Sequence, residues 1–170
     1  MTRSPPPAVY ARDTPLAELR TAELVLTSTL RLFASAWRAP GENLPDWRGG
    51  LLRSGAEPWA ASAFDGLFAI VVVATRRPLD VGCPCCPVLS PDEGRLLQLV
   101  SLFQHGRPDA GEAVLGEWLP PAAQRLAAAP ADGLGRALSQ AGLVVPWRHA
   151  EAACLPTSAR GYDRGLIQVH

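Results

Sequence analysis

The chain has 170 residues, 48% of them hydrophobic, and its sixteen arginines are balanced by sixteen acidic residues without a single lysine. This length favours one domain, and the apolar content is sufficient for a packed core. Because charges of neither sign form a run, the sequence offers no extended basic surface, and we expect neither nucleic acid nor an anionic membrane as a partner.

The N-terminal segment, residues 1–12, is rich in proline and lacks apolar periodicity, which predicts a flexible arm. It also lacks the apolar stretch of a secretory signal peptide. The longest apolar run, residues 66–74, would rise about 14 Å as a helix, well short of the roughly 30 Å hydrocarbon core of a bilayer. We therefore expect a cytoplasmic protein whose cysteines are thiols or metal ligands and not structural disulfides.

Leucine and aromatic side chains recur at three- and four-residue steps over about 15–39, which predicts an amphipathic helix. A Thr-Pro pair at its start and a Pro-Gly pair at its end are typical helix boundaries. The opposite face of this helix is polar and carries Arg20, Thr27, Arg31 and Arg38. We expect the apolar face to lie in the core and the polar face to lie away from it.

The segment from Pro58 to Thr75 is apolar on every side apart from Asp65, which predicts a central helix or a helix at an oligomer interface. Its β-branched residues are also compatible with a strand. A helix is favoured because the sequence has no second strand-like run to pair with it, and a lone strand could not satisfy its backbone.

After the central segment, capping residues and prolines predict several short helices joined by tight turns. Ser90, followed by a proline and by Glu93, forms a capping box at the first of these helices. We interpret the adjacent Asp92 together with Glu93 as helix-capping groups. Pro130 predicts a break between two later helices. The helix-weakening Gly111 is expected at a close contact between helices.

These elements together predict an all-α protein: a single-domain antiparallel bundle or array of five or six helices with flexible arms at both ends. The helical domain is expected over 13–147, after the arm at 1–12. The final segment, 148–170, has no apolar period, and we expect a tail that is disordered or bound to a partner.

Three of the four cysteines lie within four residues, immediately before the capping box. Zinc prefers four cysteine or histidine ligands in a tetrahedron, and the remaining cysteine and two histidines could complete such a set. The spacing departs from that of structural zinc sites, which use two separate pairs of ligands. The candidate ligands for zinc or iron are Cys83, Cys85, Cys86, Cys154, His105 and His149.

Three other interpretations of the cysteine cluster stay open. The C-P-x-C form of residues 83–86 resembles the glutaredoxin active site, in which a helix N-terminus activates the first cysteine, although the surrounding βαβ pattern is missing. The two Cys-Pro dipeptides resemble haem-regulatory motifs with thiolate ligation. The simplest interpretation is a rigid connector between two helices, whose thiols fill a half-buried gap.

Four short motifs suggest a relationship over about 64–148. They are ATRRPL at 74–79, GCPC at 82–85, SxDExxLL at 90–97 and AGL at 141–143. In these motifs the chain resembles a family of helical bacterial proteins without an assigned activity. The resemblance implies a helical fold and a bacterial cytoplasm, and it implies no substrate or cofactor.

No catalytic signature is present: the sequence has no Gly-x-Ser-x-Gly, phosphate loop, dinucleotide fingerprint or His-Glu-x-x-His. We therefore expect no catalytic residues and no cofactor. The leading hypothesis is a non-enzymatic interaction or regulatory protein that binds another protein, or a second copy, through apolar helix faces. The alternative is a thiol-dependent protein, either metal-binding or redox-active, centred on the cysteine cluster at 83–86.

Overall fold

The computed structural model describes residues 6–41, 43 and 45–148. Within these residues the chain forms six α-helices and no strands, which confirms the predicted all-helical class. None of the helices in this described part is long and apolar enough to cross a membrane. The helices are α1 (Thr21–Arg38), α2 (Trp47–Arg53), α3 (Pro58–Ala74), α4 (Pro91–Gln104), α5 (Pro108–Leu115) and α6 (Pro121–Gln140).

The first predicted helix begins six residues later than expected. Leu16–Glu18 form a short 3-10 turn, and α1 begins only at Thr21. The reason lies in the backbone of Arg20, which is extended with ψ of 167°, and its N–H donates to Oε2 of Glu23 at 2.7 Å and so caps α1. Before it, the N–H of Leu16 donates to the carbonyl oxygen of Pro87 at 2.9 Å. This bond also ties the start of the chain to the segment that follows the cysteines.

Helix α3 confirms the helical interpretation of the apolar segment, and its contact with α6 is the most extensive one between described helices. The two helices approach closely at a glycine, since a Cβ on Gly66 would lie 3.7 Å from the Cβ of Pro130. Only one side of α3 is in the core, and Val73 is 86% exposed. The buried residues of α3 are Ala60, Ala61, Phe64, Leu67, Phe68 and Val71.

Pro130 lies inside α6 and does not break it, so the predicted break is wrong. An interior proline lacks an N–H donor, crowds the preceding turn and costs about 3 kcal/mol. The helix continues because its apolar face is anchored on both sides of the proline: Ala127, Ala131 and Leu134 are all fully buried. Contact of the proline itself with α3 adds to this packing, which offsets the lost backbone bond.

A buried ion pair joins α1 to the first turn of α4. Arg31 is 2% exposed and Glu93 is 1% exposed. The guanidinium donates from Nε to Oε1 at 2.7 Å and from Nη2 to Oε2 at 2.9 Å. It also donates to the carbonyl oxygens of Cys86 and Val88. Part of the polar face of α1, expected away from the core, is therefore buried around Arg31.

Glu93 combines this ion pair with the predicted capping box. Its carboxylate accepts hydrogen bonds from the backbone N–H groups of Gly82 at 3.0 Å and of Ser90 at 2.8 Å. The hydroxyl of Ser90 in turn accepts from the N–H of Glu93 at 3.3 Å, so the capping box is confirmed. One carboxylate thus begins α4, binds α1 and holds the backbone on both sides of the cysteines.

We expect Arg31→Met to lower the free energy of unfolding by about 3–5 kcal/mol, because it leaves a buried carboxylate without its counter-charge. Arg48→Met is the matched control, since Arg48 pairs with Asp65 at 3.0 Å while both side chains are about half exposed. The loss there should be about 1 kcal/mol or less. Chemical denaturation followed by circular dichroism measures both, and equal losses would contradict a dominant role for the buried pair.

The predicted close contact at Gly111 is confirmed. A Cβ built on Gly111 would lie 2.7 Å from Cε2 of Phe103, so α4 and α5 approach each other too closely for a side chain at this position. A Cβ on Gly50 in α2, by contrast, would meet nothing within 4 Å. A substitution at Gly111 therefore tests close packing between helices, whereas one at Gly50 tests only the backbone flexibility of glycine.

We expect Gly111→Ala to destabilise the protein by roughly 1–3 kcal/mol, because Phe103 must move to admit the methyl group. Gly50→Ala should instead stabilise it by roughly 0.5–1 kcal/mol, since alanine restricts the unfolded chain and favours helix. Thermal unfolding of the two variants beside the wild type gives the comparison. A similar gain in melting temperature for both variants would show that α4 and α5 are less closely packed.

Candidate functional site

The three clustered cysteines form one exposed turn, residues 83–86, which we call the cysteine turn. The N–H of Cys86 donates to the carbonyl oxygen of Cys83 at 3.1 Å and closes the turn. The N–H of Cys83 points back to the sulfur of Cys86 at 3.2 Å. The sulfurs of Cys83 and Cys85 are also 3.2 Å apart, and all three residues are free thiols. The chain thus gathers three thiols at one surface position.

The interpretation of these thiols as filling a half-buried gap is wrong for two of the three. Cys83 and Cys85 are exposed, and only Cys86 is partly buried. The physical reason is that Arg31 occupies the space beneath the turn. A Cβ on the neighbouring Gly82 would lie 3.1 Å from Nη2 of Arg31, which leaves no room there for a cysteine side chain.

The backbone around the cysteine turn is held by two arginines of α1. Arg31 donates to the carbonyl oxygen of Cys86, the last residue of the turn, at 2.5 Å. Arg38 donates from Nη2 to the carbonyl oxygen of Val81 at 2.9 Å, two residues before the turn. The turn is therefore attached to a core helix at both ends, although its sulfurs face outward.

Neighbouring thiols make Cys83 the most acidic member of the cluster. Hydrogen bonds from the thiols of Cys86 and Cys85 to its sulfur lower the pKa of Cys83 to about 7, and backbone N–H groups of the same two residues add to the effect. The hydrogen bond that Cys85 shares with this sulfur, and then the negative charge on the sulfur, raise the pKa of Cys85. Because the three thiols share their protons, this low value describes the first proton lost from the group.

The cysteine turn offers two neighbouring sulfurs to a metal ion. Two thiolates bound at about 2.3 Å to a tetrahedral zinc ion are about 3.8 Å apart, and the sulfurs of Cys83 and Cys85 lie 3.2 Å apart. Within the described part of the chain, no group of three or more histidine, cysteine or acidic side chains is arranged to hold a metal ion. Binding of zinc or iron stays a prediction.

His105, another candidate ligand, does not join the cysteine turn. His105 follows the last residue of the 14-residue helix α4, about 20 Å from the end that lies beside the turn. Its Nδ1 lies 2.7 Å from the carbonyl oxygen of Ser101, and its ring packs against Trp147. Cys154 and His149 lie outside the described residues, as does the tail after residue 148.

Asp92 is engaged in a second ion pair, in addition to its place in the first turn of α4. Both Nη atoms of Arg77 donate to its carboxylate at 2.7 Å, and Nε1 of Trp118 donates at 2.9 Å. Burial alone would raise the pKa of Asp92, but these hydrogen bonds and one from the backbone of Asp80 outweigh it and lower the pKa. The carboxylate is structural and is not free for acid–base chemistry.

The sequence did not reveal the arginines that position the cysteine turn. Arg31 and Glu93 are separated by 62 positions, and neither residue carries a local signal of its partner. The capping box explains Glu93 without any ion pair, and Arg31 matches an ordinary polar helix face. Only the glycine next to the turn, Gly82, hints that a side chain approaches the backbone closely there.

An apolar groove of about 240 Å³ lies next to the cysteine turn, between α1, α3 and the segment that precedes the cysteines. Phe33 and Phe68 are part of its lining, with ring centroids 5.4 Å apart. Trp37 belongs to the apolar face of α1, which was expected in the core, but it is 64% exposed and also lines the groove. The full lining is Leu30, Phe33, Ala34, Trp37, Arg38, Phe68, Val71, Val72, Thr75, Pro78, Leu79 and Val81.

Comparison with known proteins gives no relative from which a function could be transferred. No family matches the chain, and neither a curated protein nor a solved structure is similar to it. The family resemblance drawn from the four motifs therefore stays a prediction. The chemistry open to the protein is inferred from the cysteine turn and the apolar groove.

Alkylation of Cys83 by iodoacetamide is expected to rise through a midpoint near pH 7, because only the thiolate reacts and its pKa is about 7. An ordinary cysteine has its midpoint at about pH 8.5. Cys86→Ala should move the Cys83 midpoint upward, since the Cys86 thiol contributes most to the shift. Peptide mass spectrometry resolves each cysteine, and a common midpoint near that of ordinary cysteine for all three would contradict the shared hydrogen bonds.

Proposed function

We propose that the protein is a regulatory protein that works by reversible thiol–disulfide exchange at the cysteine turn. One observation carries the proposal: the exposed sulfur of Cys83 lies 3.2 Å from the sulfur of Cys85 on an anchored turn. A disulfide bond is about 2.05 Å long, so the two sulfurs need to approach by only about 1 Å.

The exchange takes place in two displacement steps. The Cys83 thiolate attacks one sulfur of a partner disulfide, and the second partner sulfur leaves as a thiolate. The Cys85 thiol then loses its proton and attacks the sulfur of Cys83, which forms the internal disulfide and releases the first partner sulfur as a thiolate. Overall, two electrons and two protons pass from the cysteine turn to the partner disulfide. Two molecules of a low-molecular-weight thiol such as glutathione then return the internal disulfide to the dithiol and are themselves joined as a disulfide.

Two properties of the turn support this chemistry. Cys83 is exposed, and a pKa of about 7 makes a large share of it thiolate at neutral pH, near the optimum for an attacking thiol. A reversible dithiol also needs a compartment in which thiols are kept reduced, and the proposal therefore includes a cytoplasmic location.

A second candidate function is interaction with another protein or with a second copy through an apolar helical surface. The specific observation in its favour is Trp37, a large aromatic residue that is 64% exposed at the groove. Tryptophan is enriched at the energetic centres of protein interfaces. At about 240 Å³ the groove is smaller than the 300–1,000 Å³ typical of small-molecule sites, which favours a partner's side chain as occupant.

Incubation with mixtures of reduced and oxidised glutathione tests the proposed function. We expect Cys83 and Cys85 to become protected from alkylation together, as an internal disulfide. The Cys86 thiol also lies close to Cys83, so the second step is blocked only in the double variant Cys85→Ala/Cys86→Ala, in which a mixed disulfide between Cys83 and glutathione should accumulate. Cys86→Ala is the matched control and should keep the internal disulfide. Persistent alkylation of Cys83 throughout the redox series, read by peptide mass spectrometry, would contradict the proposal.

A further inference from the structure

We propose that the apolar groove is a docking site for the polypeptide whose disulfide reacts with Cys83. The groove would hold an apolar, preferably aromatic, side chain that lies two or three residues from the reactive half-cystine of that polypeptide. This inference rests on the proposed thiol–disulfide exchange and adds a substrate class to it. The groove and the cysteine turn are then two parts of one site.

The first argument is proximity. Val81 lines the groove, and Cys83 follows two residues later. Two residues of extended chain span at most about 7 Å. A partner polypeptide that bridges the same distance needs one or two residues between its docked side chain and its reactive sulfur. The spacing of the required motif follows from this geometry.

The second argument is rigidity, because one helix carries both parts of the site. Helix α1 supplies Phe33 and Trp37 to the groove. The same helix supplies Arg31 and Arg38, which hold the backbone of the cysteine turn and of Val81. The groove and the turn backbone therefore keep a fixed relation, so energy from docking can be used to place a disulfide beside Cys83.

The third argument concerns the chemistry of the occupant. The groove contains an aromatic pair, since Phe33 packs against Phe68, and it also packs edge-on against Phe64 with ring centroids 5.7 Å apart. An incoming aromatic ring would extend this array by edge or offset contacts. Arg38 is the one charged residue among the described lining, which disfavours a cationic side chain. The volume of about 240 Å³ suits one or two side chains of a polypeptide.

Two activated peptide disulfides separate docking from reactivity. The probes are acetyl-Phe-Gly-Cys-amide and acetyl-Gly-Gly-Cys-amide, each joined through its cysteine sulfur to 2-thiopyridine. The protein is the full chain with only Cys154 replaced by alanine, because Cys85 and Cys86 are needed for the acidity of Cys83. The same chain with Cys83→Ala measures the reaction of the other two thiols, which is subtracted. We expect the phenylalanine peptide to react about tenfold faster than the glycine peptide, as followed by release of 2-thiopyridone.

Two controls assign this preference to the groove. Ala34→Leu fills part of the groove and should remove the preference without changing the rate with the glycine peptide. Leu52→Ala changes an exposed apolar residue outside the groove lining and should leave the preference intact. If the filled variant does not fold, N-acetylphenylalanine amide serves as a competitor, and it should slow the phenylalanine peptide alone.

The outcomes distinguish this inference from the proposed function. The reference reaction uses a short unstructured peptide with one cysteine in place of the protein. Equal rates of the two probes with the protein, both above the rate with this reference peptide, would overturn docking and leave thiol–disulfide exchange in place. Rates with the protein no higher than with the reference peptide would overturn both. A preference that falls as protein concentration rises, together with dimers in solution, would assign the groove to a second copy and overturn the proposed substrate class.

Discussion

The buried pair of Arg31 and Glu93 is the interaction on which the arrangement of the candidate site depends. Removing two such charges from water costs several kcal/mol for each ion, and a buried pair without further partners would be unfavourable. Here the guanidinium makes four hydrogen bonds, two of them to backbone carbonyl oxygens that flank or belong to the cysteine turn. The carboxylate accepts two more from Gly82 and Ser90. The main effect of the pair is therefore to fix the position of the backbone around the cysteine turn through these hydrogen bonds, and its net contribution to stability is secondary.

This anchor explains how exposed thiols can still have a defined geometry. Arg31 fills the space below the turn and holds carbonyl oxygens, so the sulfurs remain outside and unblocked. The acidity of Cys83 comes mainly from its two neighbouring thiols, because the charge of Arg31 is largely neutralised by Glu93. Oxidation of the thiols would change the sulfurs, whereas the anchoring hydrogen bonds are made by carbonyl oxygens. The sulfurs of this short segment are thus available for reaction, while its carbonyl oxygens bind the arginines that hold it.

Local patterns predicted what local forces decide. The capping box that begins at Ser90 and the helical nature of α3 followed from neighbouring residues alone. The burial of Arg31 did not, since it depends on a carboxylate 62 positions away, and a polar side chain on an amphipathic helix is ordinarily assigned to solvent. Arg31, in this buried position, also determines that the cysteine sulfurs are exposed. Pro130 also misled, because packing against α3 outweighed its local preference.

Helix α1 contributes to both parts of the site through neighbouring strips of its surface. Arg31 and Arg38 are seven positions apart, two turns of helix, and both reach the segment around the cysteines. Phe33 and Trp37 are four positions apart on an adjacent strip and line the groove. Arg38 belongs to both parts, because it lines the groove and also holds the carbonyl oxygen of Val81. One helix therefore holds the backbone of a reactive turn and keeps an apolar surface open beside it.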